Sequence, residues 1–154
     1  MKKMLVILAA VLAVALVSCS NTSDSGGESF TVVTSAGKSA LVGSWLATSS
    51  TNGLKGTDLF TVNSNYSGSQ KMVIDYSAAS ATVHAALLIA VSKLSSQGYT
   101  YTDDSSTKKV TVTRSFTSTD FETYITQGAI KINEAKNKVK MKDAYGSEGV
   151  YTKQ

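Results

Sequence analysis

The feature that most limits the fold is a repeated change of hydrophobic period. Short runs in which apolar and polar residues alternate one by one are separated by clusters of Gly, Asn, Asp and Ser, and once, between Ala78 and Gln97, the apolar spacing lengthens to three and four. Strict alternation sends successive side chains to opposite faces of a strand, whereas spacings of three and four line one face of a helix. A chain with this rhythm is expected to be mainly β and antiparallel, with one amphipathic helix. The absence of proline and the abundance of Ser, Thr, Val and Tyr agree with that class.

The alternating runs predict strands over Phe30 to Thr34, Leu41 to Thr48, Thr57 to Val62 and Lys71 to Tyr76, with the polar stretch Asn63 to Ser69 as a hairpin connection. In the helical segment Val83, Leu87, Ala90, Val91 and Leu94 share one face, Ser80 is positioned to cap the start and Gly98 to end the run. Alternation resumes at Tyr99 and Tyr101, and continues through Val110, Val112 and Arg114 after a turn at Asp103-Asp104-Ser105-Ser106. Thr119 followed by Glu122 has the spacing of a capping box, which predicts a short helix over Asp120 to Thr126. Final strands are expected over Ala129 to Asn133, Lys138 to Lys142 and Gly149 to Thr152.

The first residues carry a different message. Lys2 and Lys3 precede an unbroken apolar run from Met4 to Val17, which is the order of a secretory leader. A run of ~14 residues makes a helix of about 21 Å, short of the roughly 30 Å core a membrane span must cross. Residues 1–18 are therefore expected to be cleaved. Leu16-Val17-Ser18-Cys19 resembles the lipobox of bacterial lipoproteins. That resemblance implies a diacylglycerol on the Cys19 sulfur, so that Cys19 holds the protein to a membrane through two or three acyl chains. Ser20 stands where enteric lipoproteins kept in the inner membrane carry Asp, so the resemblance favours the outer membrane in a two-membrane cell. The segment 19–28 is read as lipidated cysteine and flexible tether, because Ser20 to Glu28 contains no apolar residue to bury. Residues 29–154 are expected to form a single β-rich domain.

Within that domain, Gly43-Ser44-Trp45 looks like the Gly-x-Trp signature that opens the first barrel strand of lipocalins and of small lipocalin-like lipoproteins. Thr119-Asp120-Phe121 is similar to the family's Thr-Asp-Tyr motif, and Gly149 to Lys153 resembles its last strand. Gly43, Trp45, Thr119 and Asp120 are thus fold-signature positions. The family's Arg that stacks on the Trp has no counterpart, and Lys153 is the stand-in. The resemblance implies a lipocalin-like barrel or strongly curved sheet. The helix in mid-domain leaves open the alternative of an open α+β sheet with the helix packed on one face.

Little in the chain points to catalysis. His84 is the sole histidine and reads as a solvated helix residue, Asp103 and Asp104 lack the spaced ligands of a calcium loop, and no phosphate loop or nucleophile motif stands out. No enzyme activity, metal or cofactor is expected. Without the two leader lysines, 13 basic residues face 11 acidic ones, too even a balance for a nucleic-acid partner. If the sheet closes, Met72, Ile74, Tyr99 and Tyr101 would line a mostly apolar site for a small hydrophobic ligand. If its core is solid, function passes to exposed Thr- and Lys-rich strands that meet an envelope protein or other surface partner.

Overall fold

The computed structural model describes residues 27–142 and 148–154. The leader, Cys19 and most of the tether lie outside them. Nine strands form a single antiparallel sheet: β1 (Phe30–Val32), β2 (Gly43–Thr51), β3 (Leu54–Val62), β4 (Gly68–Asp75), β5 (Thr100–Asp104), β6 (Lys109–Phe116), β7 (Ile130–Asn133), β8 (Lys138–Lys142) and β9 (Glu148–Lys153). Two α-helices, α1 (Ala81–Ser92) and α2 (Ser118–Thr126), are joined by 3-10 segments at Ser35–Leu41 and Lys93–Gln97. No helix among the described residues is long and apolar enough to cross a membrane. The mainly β, antiparallel class read from the alternation is the observed one.

The spatial order is β1-β7-β8-β9-β2-β3-β4-β6-β5. Two meanders, β2-β3-β4-β6 and β7-β8-β9, are joined because the last strand pairs with the second, Trp45 opposite Lys153. A pairing that joins the chain's end to a strand near its start can close a barrel, but here the sheet stays open. Its free edges are β1 and β5, and the connection from β6 to β7 folds as α2 and brings Phe121, Tyr124 and Ile125 into the core instead of forming a hairpin. A closed barrel is thus corrected to an open sheet with helices on one face.

Turn chemistry fixes the registers. Asn52 and Gly53, with φ of 46° and 80°, make a two-residue turn between Thr51 and Leu54. Positive φ at both central positions is the type I′ geometry that matches strand twist. β2 and β3 therefore extend three residues further toward each other than the apolar pattern indicated. In the β5–β6 turn Asp104 Oδ1 accepts from the Ser106 backbone N–H at 2.9 Å, an Asx turn.

One face of the sheet is covered. Under α1 lie Leu54, Met72, Ile74, Val110 and Val112, against Leu87, Ala90, Val91 and Leu94. Under α2 and the first 3-10 segment lie Trp45, Phe60, Val62, Phe116, Ile130, Val139 and Tyr151. Each such side chain contributes about 1.5–3 kcal/mol by leaving water. Ser80 caps α1 by accepting from the Val83 N–H, and Gly98, at φ 83°, ends the following 3-10 segment. The helix expected over Ala78 to Gln97 is thus α-helical only to Ser92. Its outward side carries Ala81, Ala85 and Ile89 where an amphipathic helix would place charges.

The cap of α2 differs from the one predicted. Thr117, not Thr119, is the N-cap, and its partner is Asp120. Glu122 instead binds Lys38 at 2.5 Å and Ser35, tying α2 to the first 3-10 segment. At the N-terminal edge Glu28 accepts from Asn133 Nδ2 at 2.5 Å and Lys138 Nζ at 2.8 Å. The last residue of the expected tether is therefore fastened to the sheet rather than free.

Candidate functional site

The four residues expected to line a ligand cavity do not come together as one. Met72 and Ile74 are fully buried and Tyr99 is nearly so, all packed beneath α1. Tyr101 is 40% exposed: it shares the helix-covered side, since it pairs with Val112, but β5 is the outermost strand and nothing covers it. Three of the four, Met72, Ile74 and Tyr99, thus face α1 rather than a ligand.

Between the two apolar clusters runs a belt of buried polar groups. Inward positions of β3 read Leu54, Gly56, Asp58, Phe60 and Val62, so strand parity carries Asp58 into the interior. Its Oδ2 accepts from Tyr151 OH at 2.6 Å and from Gln70 Nε2 at 2.7 Å, and Gln70 Oε1 accepts from Tyr99 OH at 2.8 Å. Arg114, inward on β6 by the same parity, lies over the Tyr99 ring with 5.3 Å to its centroid. Asp58 Oδ1 and Arg114 Nη1 are buried with no hydrogen-bond partner among the described residues. Burial pushes the Asp58 carboxyl up to about 6 against the lowering effect of its two hydrogen bonds, and burial also drives the Tyr99 phenol well above its ordinary range. Each interaction here joins strands rather than opening onto solvent, which makes the belt a register device.

A second cluster escaped the sequence reading. His84 is not a free solvated residue: its ring stacks on Tyr76 with centroids 3.8 Å apart, and Nε2 lies 3.1 Å from Asp103 Oδ2. Asp103 Oδ1 accepts from Tyr76 OH at 2.8 Å. Burial and then the Asp103 carboxylate push the Tyr76 phenol up to about 12. The three residues lock the start of α1 to β4 and β5. Among the described residues no group of three or more His, Cys, Asp or Glu could hold a metal ion.

The signature positions are structural. Trp45 is fully buried and donates from Nε1 to the Leu41 carbonyl at 2.8 Å. Lys153 Nζ sits 5.2 Å from the Trp45 ring centroid, a cation–π contact. Gly43 holds φ 125°, a backbone conformation that favours glycine, and a Cβ there would make only ordinary contact with Lys153 Cε at 3.4 Å. Asp120 completes the α2 cap, while Thr119 is exposed and serves only as the carbonyl acceptor for Thr123.

The face of the sheet opposite the helices carries no layer among the described residues. Register aligns Thr48, Thr57, Val73, Thr111 and Thr102 across five strands, and Ser44, Thr61, Ser69 and Ser115 across four. Some hydroxyls are cross-linked, Ser44 to Thr61 at 3.1 Å and Thr100 to Thr113 at 3.0 Å. Where β5 begins, a shallow depression of about 370 Å³ is bordered by Ser69, Lys71, Thr100, Thr113 and Ser115. Hydroxyls flanking one ammonium suit a polar or anionic partner group rather than an apolar ligand. No protein-family model, no curated protein and no solved structure matches this chain.

Proposed function

We propose that the chain is a lipid-anchored, non-enzymatic protein of the bacterial cell envelope that acts through the open, hydroxyl- and lysine-bearing face of its sheet. The observation that carries this reading is the division of the sheet. Met72, Ile74 and Tyr99, which could have enclosed a ligand, are packed under α1, whereas the opposite face presents two rows rich in hydroxyls, and Lys71, to solvent. Anchoring rests on the lipobox-like Leu16 to Cys19, with the outer membrane favoured in a two-membrane cell.

A lipocalin-like scaffold is the accompanying reading. The pairing of β2 with the last strand, β9, and the Lys153–Trp45 stack support it, and a small hydrophobic ligand is its functional corollary. Site-specific photo-crosslinking in the native envelope tests both. A cross-linker at Thr113 or Thr61 should capture a partner that one at Thr123, on α2, does not. Failure at both open-face positions, together with a co-purifying mass of a few hundred daltons in native mass spectrometry, would overturn the surface reading in favour of a ligand carrier. Mass analysis of wild type against Cys19→Ala tests the anchor separately, since lipid should be lost only in the variant.

A further inference from the structure

We propose that the free edge of β5, together with the flank of α1 beside it, is a self-association surface on which β5 of a second copy pairs antiparallel about a two-fold axis. β5 is bonded to β6 on one side and is the last strand of the sheet on the other, and all five of its residues are exposed. Sheet edges are usually guarded by charged side chains, lysine above all, by proline or by a bulge. β5 has no lysine or proline, its register with β6 runs unbroken, and its only charges are Asp103 and Asp104. Its two acidic side chains turn back into their own protomer, Asp103 to Tyr76 and His84, Asp104 to Ser106 and Thr107. What remains along the edge is Thr100-Tyr101-Thr102.

The helix supplies a separate observation. Ala81 to Ser92 contains no Lys, Arg, Asp or Glu, although its outer side faces water, where helices ordinarily carry charge. Ile89 is 59% exposed and Tyr101 40%, and these are two of the three large apolar side chains exposed among the described residues. His84 reaches β5 through Asp103, so Leu88, one turn later, lies on the same flank. A strand added at the edge would run beside Tyr101 with that flank as its wall.

The tripeptide selects the occupant. Antiparallel pairing centred on Tyr101 sets Thr100 opposite Thr102 in both halves and Tyr101 opposite its own copy, a self-complementary arrangement of the kind a two-fold interface needs. In that register Asp104 falls opposite Gly98 and Asp103 opposite Tyr99, so no carboxylates oppose each other. The chain's own Ser20 to Gly26 has no apolar side chain to fill the flank. The chain also enters the fold at β1, the opposite end of the strand order, so the pairing leaves that entry free. The inference is independent of lipidation.

All strands and both apolar clusters lie within the described residues, so the protein from Ser20 to Gln154 is suitable for sedimentation velocity. A reversible monomer–dimer equilibrium is expected at concentrations up to about 300 μM. Tyr101→Lys, which opposes two ammonium groups across the axis, and Thr102→Lys, which guards the other side of the edge, should each weaken it roughly tenfold or more. Circular dichroism and the unfolding midpoint report whether each variant is folded, and two exposed positions keep the test open if one is not. A wild type that stays monomeric throughout, or a dimer indifferent to a folded variant at either position, would overturn the proposal.

Discussion

Replacing Asp58 by Asn should abolish a specific slope in the pH dependence of stability. The Asp58 carboxyl is fully buried, with one oxygen bonded and the other without a partner, and burial lifts it from 3.8 to about 6. The folded protein therefore prefers the neutral form. Below about pH 4 the carboxyl is protonated in both folded and unfolded chains, and its favourable contribution is complete. As pH rises from about 4 to 6, the unfolded chain releases the proton while the folded one retains it, so stability falls; above that window the loss is constant. At ~1.4 kcal/mol per pH unit the total is about 3 kcal/mol. Asn keeps a carbonyl for the Tyr151 and Gln70 donors and cannot ionise. The difference in unfolding free energy between D58N and wild type should thus shift by about 3 kcal/mol toward the variant between pH 4 and pH 7.5, read by urea titration. Glu28, Asp75, Asp104 and Glu122 are held below their ordinary values, chiefly by side-chain hydrogen bonds, and act with the opposite sign. They are common to both proteins and cancel in the difference. A difference that does not change across this range would refute the account of Asp58 as a carboxyl whose ionisation burial holds back to about pH 6.

Other parts of the fold can be tested more briefly. Thr117→Ala should cost about 1 kcal/mol in chemical denaturation and Thr119→Ala much less, because only Thr117 caps α2. Gly68→Ala should cost at least about 3 kcal/mol or prevent folding, since its Cβ would lie 2.0 Å from the Thr61 carbonyl oxygen; Gly37→Ala, with nothing nearer than 3.8 Å, is the control. In Asp103→Asn the Tyr76 phenol should titrate below its present value of about 12 yet stay above 10.0, because burial, the larger cause, persists; NMR of ring-labelled tyrosine reads this directly.

Strand alternation made the class of fold legible, but strand order lay beyond it. Nothing local to Gly149–Lys153 says that it pairs with Gly43–Thr51 as well as with the neighbouring Lys138–Lys142; that choice belongs to the burial of Trp45 and Tyr151 in one cluster. Residues Ser49 to Thr51 read as loop because they are polar, yet Asn52-Gly53 is a strong local hairpin signal and places both flanking segments in strands. The buried belt also left a trace that could have been followed. Asp58 and Arg114 stand at inward parity among apolar neighbours, Leu54 to Val62 and Val110 to Phe116, and a charged residue at such a position must find partners inside. The partners themselves, Tyr151 from a strand 93 residues away and Gln70 from the next hairpin arm, are a tertiary fact. His84 was misread because helical spacing locates its face but not the strand beneath that face.

The same interior explains where function can reside. A nine-stranded sheet with helices on one face can enclose a ligand only if those helices stand away from it. Here Leu87 and Val91 reach Met72 and Ile74 without exposure, and separating them would forfeit the burial that holds α1, a helix with little polar character of its own. The belt of Asp58, Gln70, Tyr99 and Tyr151 raises the cost of such an opening, since parting any member strands a buried polar group. The two surfaces proposed for recognition, the hydroxyl rows of the open face and the unpaired edge of β5, are ones whose occupation costs the fold nothing. These are adjacent, meeting at Thr100 and Thr113 beside the depression. A dimer formed through β5 would extend the rows from one protomer into the next, making one continuous open face from two.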